Sequence, residues 1–315
     1  MFPDEKKITR LTNVARMYYE QDMSQSEVAK VIGVSRPMVS KLLTEAKALG
    51  IVTIKINQVK SLKQMLQERL INQFNLKNVT IIETTGIGIG EIDTKIATST
   101  FENYVAKKDV KLGIGCGSML GALCENLENN EVKSSAYQGE VFPLIGGLKA
   151  SYRSYHTNEL VRSFEENTGL TASYFYLPAL VDTVEEKNFF KKTDLYLDTA
   201  RHWQDMNTAF VNISNLYSTP DLATSIRFGK RLARQRAVGR FLAYYYDVQG
   251  NLIEPVQDNV MQIEIEQLRK TKNVVAICSS KADPLSVIGA LRTGIFTNVI
   301  LSEVLAGKIL EVIDV

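Results

Sequence analysis

The chain opens with apolar residues at helical spacing. Ile8, Leu11, Ala15, Tyr18 and Tyr19 make one face of a first helix. Ser24-Gln25-Ser26-Glu27 then forms a capping box, in which Ser24 caps the amide three residues on and Glu27 reaches back to it. Val28, Ala29 and Ile32 face inward from this second helix, which stops at Gly33. Ser35 is the N-cap of a third helix that tolerates Pro37 in its first turn, and Val39, Leu42, Leu43 and Ala46 give it a buried stripe before Gly50 ends it. Residues 51–56 (IVTIKI) alternate apolar and polar after the first pair and predict a strand. Residues 60–75 predict an amphipathic helix with Leu62, Met65, Leu66, Leu70 and Phe74 on one side. It serves either as a connector and oligomer seam or as a helix packed on its own C-terminal domain.

From residue 78 the pattern changes to short β-rich runs separated by helical ones. Strands are predicted at 78–84, 111–115, 140–144, 173–177, 209–213, 274–278 and 298–301, with helical stretches at 118–128, 156–166, 219–243 and 284–292. Apolar strands alternating with helices imply an α/β fold with a parallel sheet covered on both faces. The expected organisation is a helix-turn-helix domain over 1–57, winged-helix-like if the 51–56 strand forms. A linker helix over 58–77 and an α/β domain over 78–315 follow.

Composition narrows the class. An apolar fraction of 45% and a charged fraction of 23% over 315 residues describe an ordinary globular protein of about two domains. The net charge of +2 is uninformative, but residues 1–60 carry ten Lys/Arg against six Asp/Glu, a basic head suited to nucleic acid. Cys116, Cys124 and Cys278 form no CxxC pair, which speaks against a disulfide framework or a metal site and for buried thiols. The first residues carry no apolar signal-peptide core, and no run is long enough to span a membrane, so a cytoplasmic protein is expected.

Two sets of residues carry candidate chemistry. The third helix fits the major groove, where its first residues reach base edges. Arg36 is placed for bidentate contact with guanine, Lys41 and the helix start at Gln25 for phosphates, and Ser35, Met38, Ser40 and Thr44 complete the exposed surface. In the α/β domain, ligands are expected at the C-terminal strand ends. Gly113-Ile114-Gly115-Cys116-Gly117-Ser118 joins a strand to a helix and suits a phosphate or hydroxyl. It lacks the last glycine of a dinucleotide fingerprint and has no Walker lysine, so no nucleotide cofactor is expected. Gly146-Gly147 leads to Ser154, Tyr155, His156 and Asn158 at a helix start, a set of donors and acceptors for a polyol. Ser279-Ser280-Lys281 follows another strand, and its lysine suits an anion.

The order of these parts, with Tyr18-Tyr19-Glu20-Gln21-Asp22-Met23-Ser24-Gln25, Gly50-Ile51-Val52-Thr53-Ile54, Ile145-Gly146-Gly147, Tyr155-His156-Thr157-Asn158, Ala237-Val238-Gly239 and Gly289-Ala290-Leu291, resembles the SorC family of bacterial regulators over nearly the whole chain. The resemblance implies an effector domain similar to sugar-phosphate isomerases, a dimer-of-dimers assembly and control of a sugar-uptake operon, as in sorbitol and sorbose regulators. It places the effector on Gly115, Gly117, Ser118, Gly146, Gly147, Ser154, Tyr155, His156, Asn158 and Lys281. Two positions depart from the family. Ile145 stands where some members carry a Schiff-base lysine. Asp283 stands where the last-loop lysine is usual, and its charge opposes a phosphate.

The leading expectation is thus a homo-oligomeric transcription regulator that binds a DNA operator and a sugar or sugar phosphate, without catalysis, metal or cofactor. The rival class is a sugar-phosphate isomerase- or deaminase-like enzyme with a helical appendage. It would need a general base, for which His156, Asp247 and Asp283 are the candidates.

Overall fold

The computed structural model describes residues 5–54, 60–106, 109–129, 137–149, 153–218 and 225–314. The chain divides into two compact units, residues 1–59 and 60–315.

In the first unit α1 (Glu5–Tyr19), α2 (Gln25–Ile32) and α3 (Arg36–Ala48) close around Leu11, Val14, Val28, Val39, Leu43 and Ala46. The capping box at Ser24 forms as expected, and Gly33 takes φ 67°, the left-handed conformation that ends α2. Ser35 has the extended backbone of an N-cap but its hydroxyl makes no cap bond. Val14 rather than Ile8 or Tyr19 completes the face of α1.

The strand expected over 51–56 is absent from residues 51–54, and residues 55–56 lie outside the described residues. Instead Gly50 turns left-handed at φ 72°, and the amides of Ile51 and Val52 return to Ala46 O. The two side chains pack on the small core, so the apolar pair closes the helix end instead of starting a sheet.

The second unit begins with α4 (Leu62–Phe74), whose Leu66, Leu70 and Phe74 are buried in that unit while Leu62 and Met65 stay exposed. Its main sheet contains β1 (Asn78–Ile82), β2 (Val110–Ile114), β3 (Gly139–Pro143), β4 (Thr171–Ala172), β5 (Thr208–Asn212), β9 (Asn273–Ile277) and β10 (Asn298–Ser302). The spatial order is β1-β10-β9-β5-β2-β3-β4, and every pairing is parallel. β5 and β10 are buried at every position, as a parallel sheet covered on both faces requires. Helices α5 (Ile89–Tyr104), α6 (Ser118–Asn129) and α7 (Thr157–Thr168) pack side by side, as do α13 (Pro284–Arg292), α14 (Glu303–Asp314) and α4. Between β4 and β5 run α8 (Val184–Phe190) and α9 (Asp194–Asp205).

Two expectations are corrected. Residues 173–177 are not a strand: the edge strand β4 has two residues, and beyond it Ser173 and Leu177 make single backbone bonds to Val141 and Gly147 while the Asn158 side chain holds Phe175. Of the helix expected over 219–243, residues 219–224 lie outside the described residues and residues 225–243 are not one helix. Two single turns, α10 (Ser225–Phe228) and α11 (Arg231–Arg234), precede β7 (Ala237–Phe241), which pairs antiparallel with β6 (Ser214–Asn215) and β8 (Tyr244–Asp247). The arginines and alanines of this stretch are good helix formers, but burial of β7 in a hairpin overrides that propensity. A last short helix, α12 (Ile265–Lys270), leads into β9.

Candidate functional site

On α3 the burial pattern separates two faces. Val39, Leu42, Leu43 and Ala46 are buried, whereas Ser35, Arg36, Met38, Ser40, Lys41 and Thr44 are exposed. The Thr44 hydroxyl donates to Ser40 O at 3.0 Å, which leaves Arg36, Ser40 and Lys41 as the outward polar groups. Gln25, half-buried, is the first residue of α2. Glu27 accepts from Ser24, whose bonds hold its carboxyl below the ordinary value.

In the second unit the strand order reverses between β2 and β5. The chain runs outward from β2 through β3 to β4 on one side, and from β5 through β9 to β10 on the other. Such a switch point leaves a crevice at the carboxyl ends of its two strands. The Gly115–Ser118 turn lies at the end of β2 and Asn212 at the end of β5, where Asn212 packs against Gly117 and bonds the first turn of α6. Asn212 Oδ1 accepts the Met119 amide at 3.1 Å, while Asn212 Nδ2 donates to Ser214 Oγ at 2.9 Å. Gly117 has φ 140°, and a Cβ there would lie 2.6 Å from Asn212 Cγ, so only glycine fits.

Three links draw the expected effector residues together. The Gly117 amide donates to Ser154 O at 3.0 Å, joining the Gly-rich turn to the 3-10 turn Arg153–Tyr155. Thr157 Oγ1 donates to Ile145 O at 3.1 Å, joining the start of α7 to the Gly146-Gly147 segment. Asn215 clasps the third loop, donating to Lys281 O at 3.4 Å and accepting from the Asp283 amide at 2.9 Å. The run Asn212-Ile213-Ser214-Asn215 thus ties the first loop to the last, a role that sequence reasoning missed. Its signal was an asparagine ending a buried strand and a second three residues on.

The geometry changes several roles. The amides of Gly115 and Gly117 donate to Phe210 O and Ser154 O, and those of Gly146 and Gly147 to Met261 O and Leu177 O. These four groups hold the loops. Asn158 exchanges two bonds with the Phe175 backbone, and Tyr155 is half-buried against the core. Ser118 and Lys281 are exposed, and Ser154 and His156 are half-buried. His156 is the N-cap of α7, although its ring makes no cap bond.

Asp283, expected to oppose a phosphate, is the N-cap of α13, where its side chain accepts from the Leu285 amide at 2.9 Å. Its charge is set against a helix start. Asp247 likewise bonds Asn251 through both carboxylate oxygens. Asp283 and Asp247 therefore both have structural roles. The three cysteines are buried free thiols, with Cys116 pushed up to about 11 and Cys124 and Cys278 to about 12 by burial. Among the described residues no helix is long and apolar enough to cross a membrane.

The chain thus joins a three-helix unit with the element order of a helix-turn-helix to a parallel α/β unit with a loop cluster at its switch point. The family model described as "Putative sugar-binding domain" matches residues 60–311, and the chain belongs to that family. The sorbitol operon regulator of Klebsiella pneumoniae is 24% identical, covering 94% of this chain and 95% of its own. The deoxyribonucleoside regulator of Bacillus subtilis (strain 168) is also 24% identical, over 95% and 96%. The crystal structure of the full-length K. pneumoniae regulator SorC superposes with a TM-score of 0.68 at 23% identity, covering 98% of this chain and all of that one. The SorC-type expectation and the α/β fold class hold. The family and the named relatives, both regulators, favour a regulator over the isomerase- or deaminase-like alternative.

Proposed function

We propose that this chain regulates a carbohydrate-utilisation operon, with α3 reading operator DNA and the larger unit binding a sugar or sugar phosphate at the β2/β5 switch point. The observation that carries the reading is the set of bonds joining three loops at that crevice: Asn212 and Asn215 tie the start of α6 to the 279–283 loop, and the Gly117 amide ties the Gly-rich turn to Ser154 O. Ser118, Ser154, His156 and Lys281 supply its hydroxyl- and anion-reading side chains. Gly115, Gly117, Gly146, Gly147, Tyr155 and Asn158 hold the loops in place. Arg36 reads a base, and Lys41 with the α2 start at Gln25 contacts phosphates. The assembly is a dimer of dimers in the cytoplasm, since two linked half-sites supply the effective concentration one short recognition helix lacks.

The test is operator binding by fluorescence anisotropy, with free and phosphorylated ketoses and polyols added in turn. One of these sugars shifts operator affinity without being consumed. Arg36→Ala loses about 1–3 kcal/mol and relaxes specificity at one base pair, while Lys41→Ala weakens all sequences alike and flattens the salt dependence. Unchanged affinity in both variants would remove α3 from the groove. A set of sugars with no effect on DNA binding would remove the effector reading.

A further inference from the structure

Residues 225–240 hold six Lys/Arg and no Asp/Glu, whereas the rest of residues 60–315 has 22 Lys/Arg against 29 Asp/Glu. A dense run of positive charge thus sits in an otherwise acidic unit. Two of the six, Arg227 and Arg240, are buried and hold the β7–β8 turn, where Arg227 Nη2 donates to Ala243 O at 3.2 Å and Arg240 Nη1 to Leu242 O at 2.9 Å. The other four reach the surface. Lys230, Arg234 and Arg236 are exposed and form no ion pair among the described residues. Arg231, half-buried, donates through Nη1 to Glu254 O at 2.9 Å and to Pro255 O at 3.1 Å, carbonyls that do not cancel its charge.

The backbone fixes these cations in place. The Arg234 amide donates to Lys230 O at 3.0 Å, and the Arg236 amide to Ala233 O at 3.2 Å. The amides of Val256 and Gln257 both return to Arg227 O, which holds the 254–257 segment against the turn. That segment brings one carboxylate, the exposed Glu254, to a surface with four cations. Arg236 has φ 52°, a left-handed conformation that a non-glycine residue adopts at a cost.

Four cations against one carboxylate suit a partner with repeated negative charge. Duplex DNA carries one about every 1.7 Å of its axis. Three of the four are arginines, whose planar guanidinium pairs two phosphate oxygens at once. A membrane surface is the other repeated anion, but α10 and α11 have four residues each, too few for an amphipathic helix lying in an interface. Residues 226–236 and 254–257 also expose only two large apolar side chains, Ile226 and Val256. The acidic remainder of the unit repels DNA, so this strip is the part of it suited to lie against a duplex.

We propose that Lys230, Arg234 and Arg236, with the charge of Arg231 beside them, form a second DNA contact that grips phosphates without reading sequence. The proposal rests on the reading of the chain as a DNA-binding regulator and adds a contact from the unit that carries the effector crevice.

Fluorescence anisotropy on the full chain tests this over a salt series, with a labelled mixed-sequence duplex of about 60 bp that lacks an operator, because non-specific affinity comes from phosphate contacts. The double variant Lys230→Gln/Arg234→Gln lowers the slope of log affinity against log salt by about 0.9 for each lost contact, and binds at least tenfold more weakly at low salt. Lys230→Arg/Arg234→Lys, which keeps both charges, retains the wild-type slope. Lys41→Ala lowers the slope by its own share, and the triple variant loses the sum. An unchanged slope in Lys230→Gln/Arg234→Gln overturns the proposal, and if Lys41→Ala still flattens the slope the regulator reading stands. An equal fall in the charge-keeping variant would assign the effect to packing and overturn it as well. Lost binding to phosphatidylglycerol–phosphatidylcholine vesicles with the DNA slope intact would give the patch to a membrane surface instead.

Discussion

The side-chain amide of Asn158 donates to Phe175 O at 3.2 Å and accepts from Phe175 N at 3.0 Å, so one residue of α7 replaces a missing strand neighbour. Phe175 is fully buried against Trp203 and Tyr196, with no strand pairing for its backbone. Removing a partner from buried backbone groups costs about 1–3 kcal/mol. Asn158→Ala should lose that much stability in chemical denaturation. Asn158→Asp, which keeps the acceptor and loses the donor, should fall between. An Asn158→Ala variant as stable as wild type would return this side chain to direct ligand contact.

Gly146 and Gly147 look equivalent in sequence but face different surroundings. A Cβ on Gly146 would lie 2.5 Å from Leu177 O and 2.7 Å from Pro178 backbone, whereas the nearest atom to one on Gly147 is 4.0 Å away. Backbone cannot rotate aside as a flexible side chain can, so Gly146→Ala should cost about 1–3 kcal/mol of overpacking. Gly147→Ala should be nearly silent. Parallel melts of the two variants check this, and equal losses would contradict the packing described.

Much of this was legible from periodicity and caps. The second and third helices were bounded by Ser24, Gly33, Ser35 and Gly50, and six of the seven parallel strands announced themselves as short apolar runs between helices. What escaped prediction depended on distant partners. The 173–177 segment has strand-like residues, but only Ser173 and Leu177 find backbone partners, and Asn158 serves Phe175 between them. The β7 strand sits in an arginine-rich stretch that reads as helix, and only burial against β6 and β8 decides it. Two of the loops at the switch point were visible as Gly-rich turns, yet the segment joining the first loop to the last, Asn212–Asn215, shows only its two asparagines. Its importance follows from where β5 lies in the sheet, which one sequence does not reveal.

The Ser24–Glu27 capping box gives a pH dependence with a defined sign. Hydrogen bonds from Ser24, through its side chain first and its amide second, hold the Glu27 carboxyl below the ordinary 4.5. A lowered folded-state value means that the contribution is present above 4.5 and is lost as pH falls through the lower folded value. Glu27→Gln removes the charge while keeping an acceptor. Amide exchange in α2 should therefore be faster in Glu27→Gln at neutral pH, and the difference from wild type should vanish in acid. A difference that persists at low pH would assign the effect to something other than the carboxylate.

Asn212 is the most informative single position at the switch point. Its Oδ1 satisfies the buried Met119 amide, and its Nδ2 reaches Ile213 O and Ser214 Oγ, so one side chain orients the start of α6 and the strand that carries Asn215. Asn212→Ala leaves the Met119 amide without this acceptor and should cost about 1–3 kcal/mol. Asn212→Asp keeps an oxygen for that amide and places a negative charge at a helix N-terminus, which is favourable, but it loses the donor to Ile213 O, so its stability should fall between wild type and Asn212→Ala. The same charge would repel an anionic ligand in the crevice. Asn212→Asp should therefore weaken the response to a phosphorylated sugar more than to its free counterpart, and added salt should narrow the gap by screening. Operator-release titrations with each pair of sugars measure this directly. Equal losses for both members of a pair would mean that the ligand's charge lies away from Asn212, and would move the anion-reading end of the site toward Lys281.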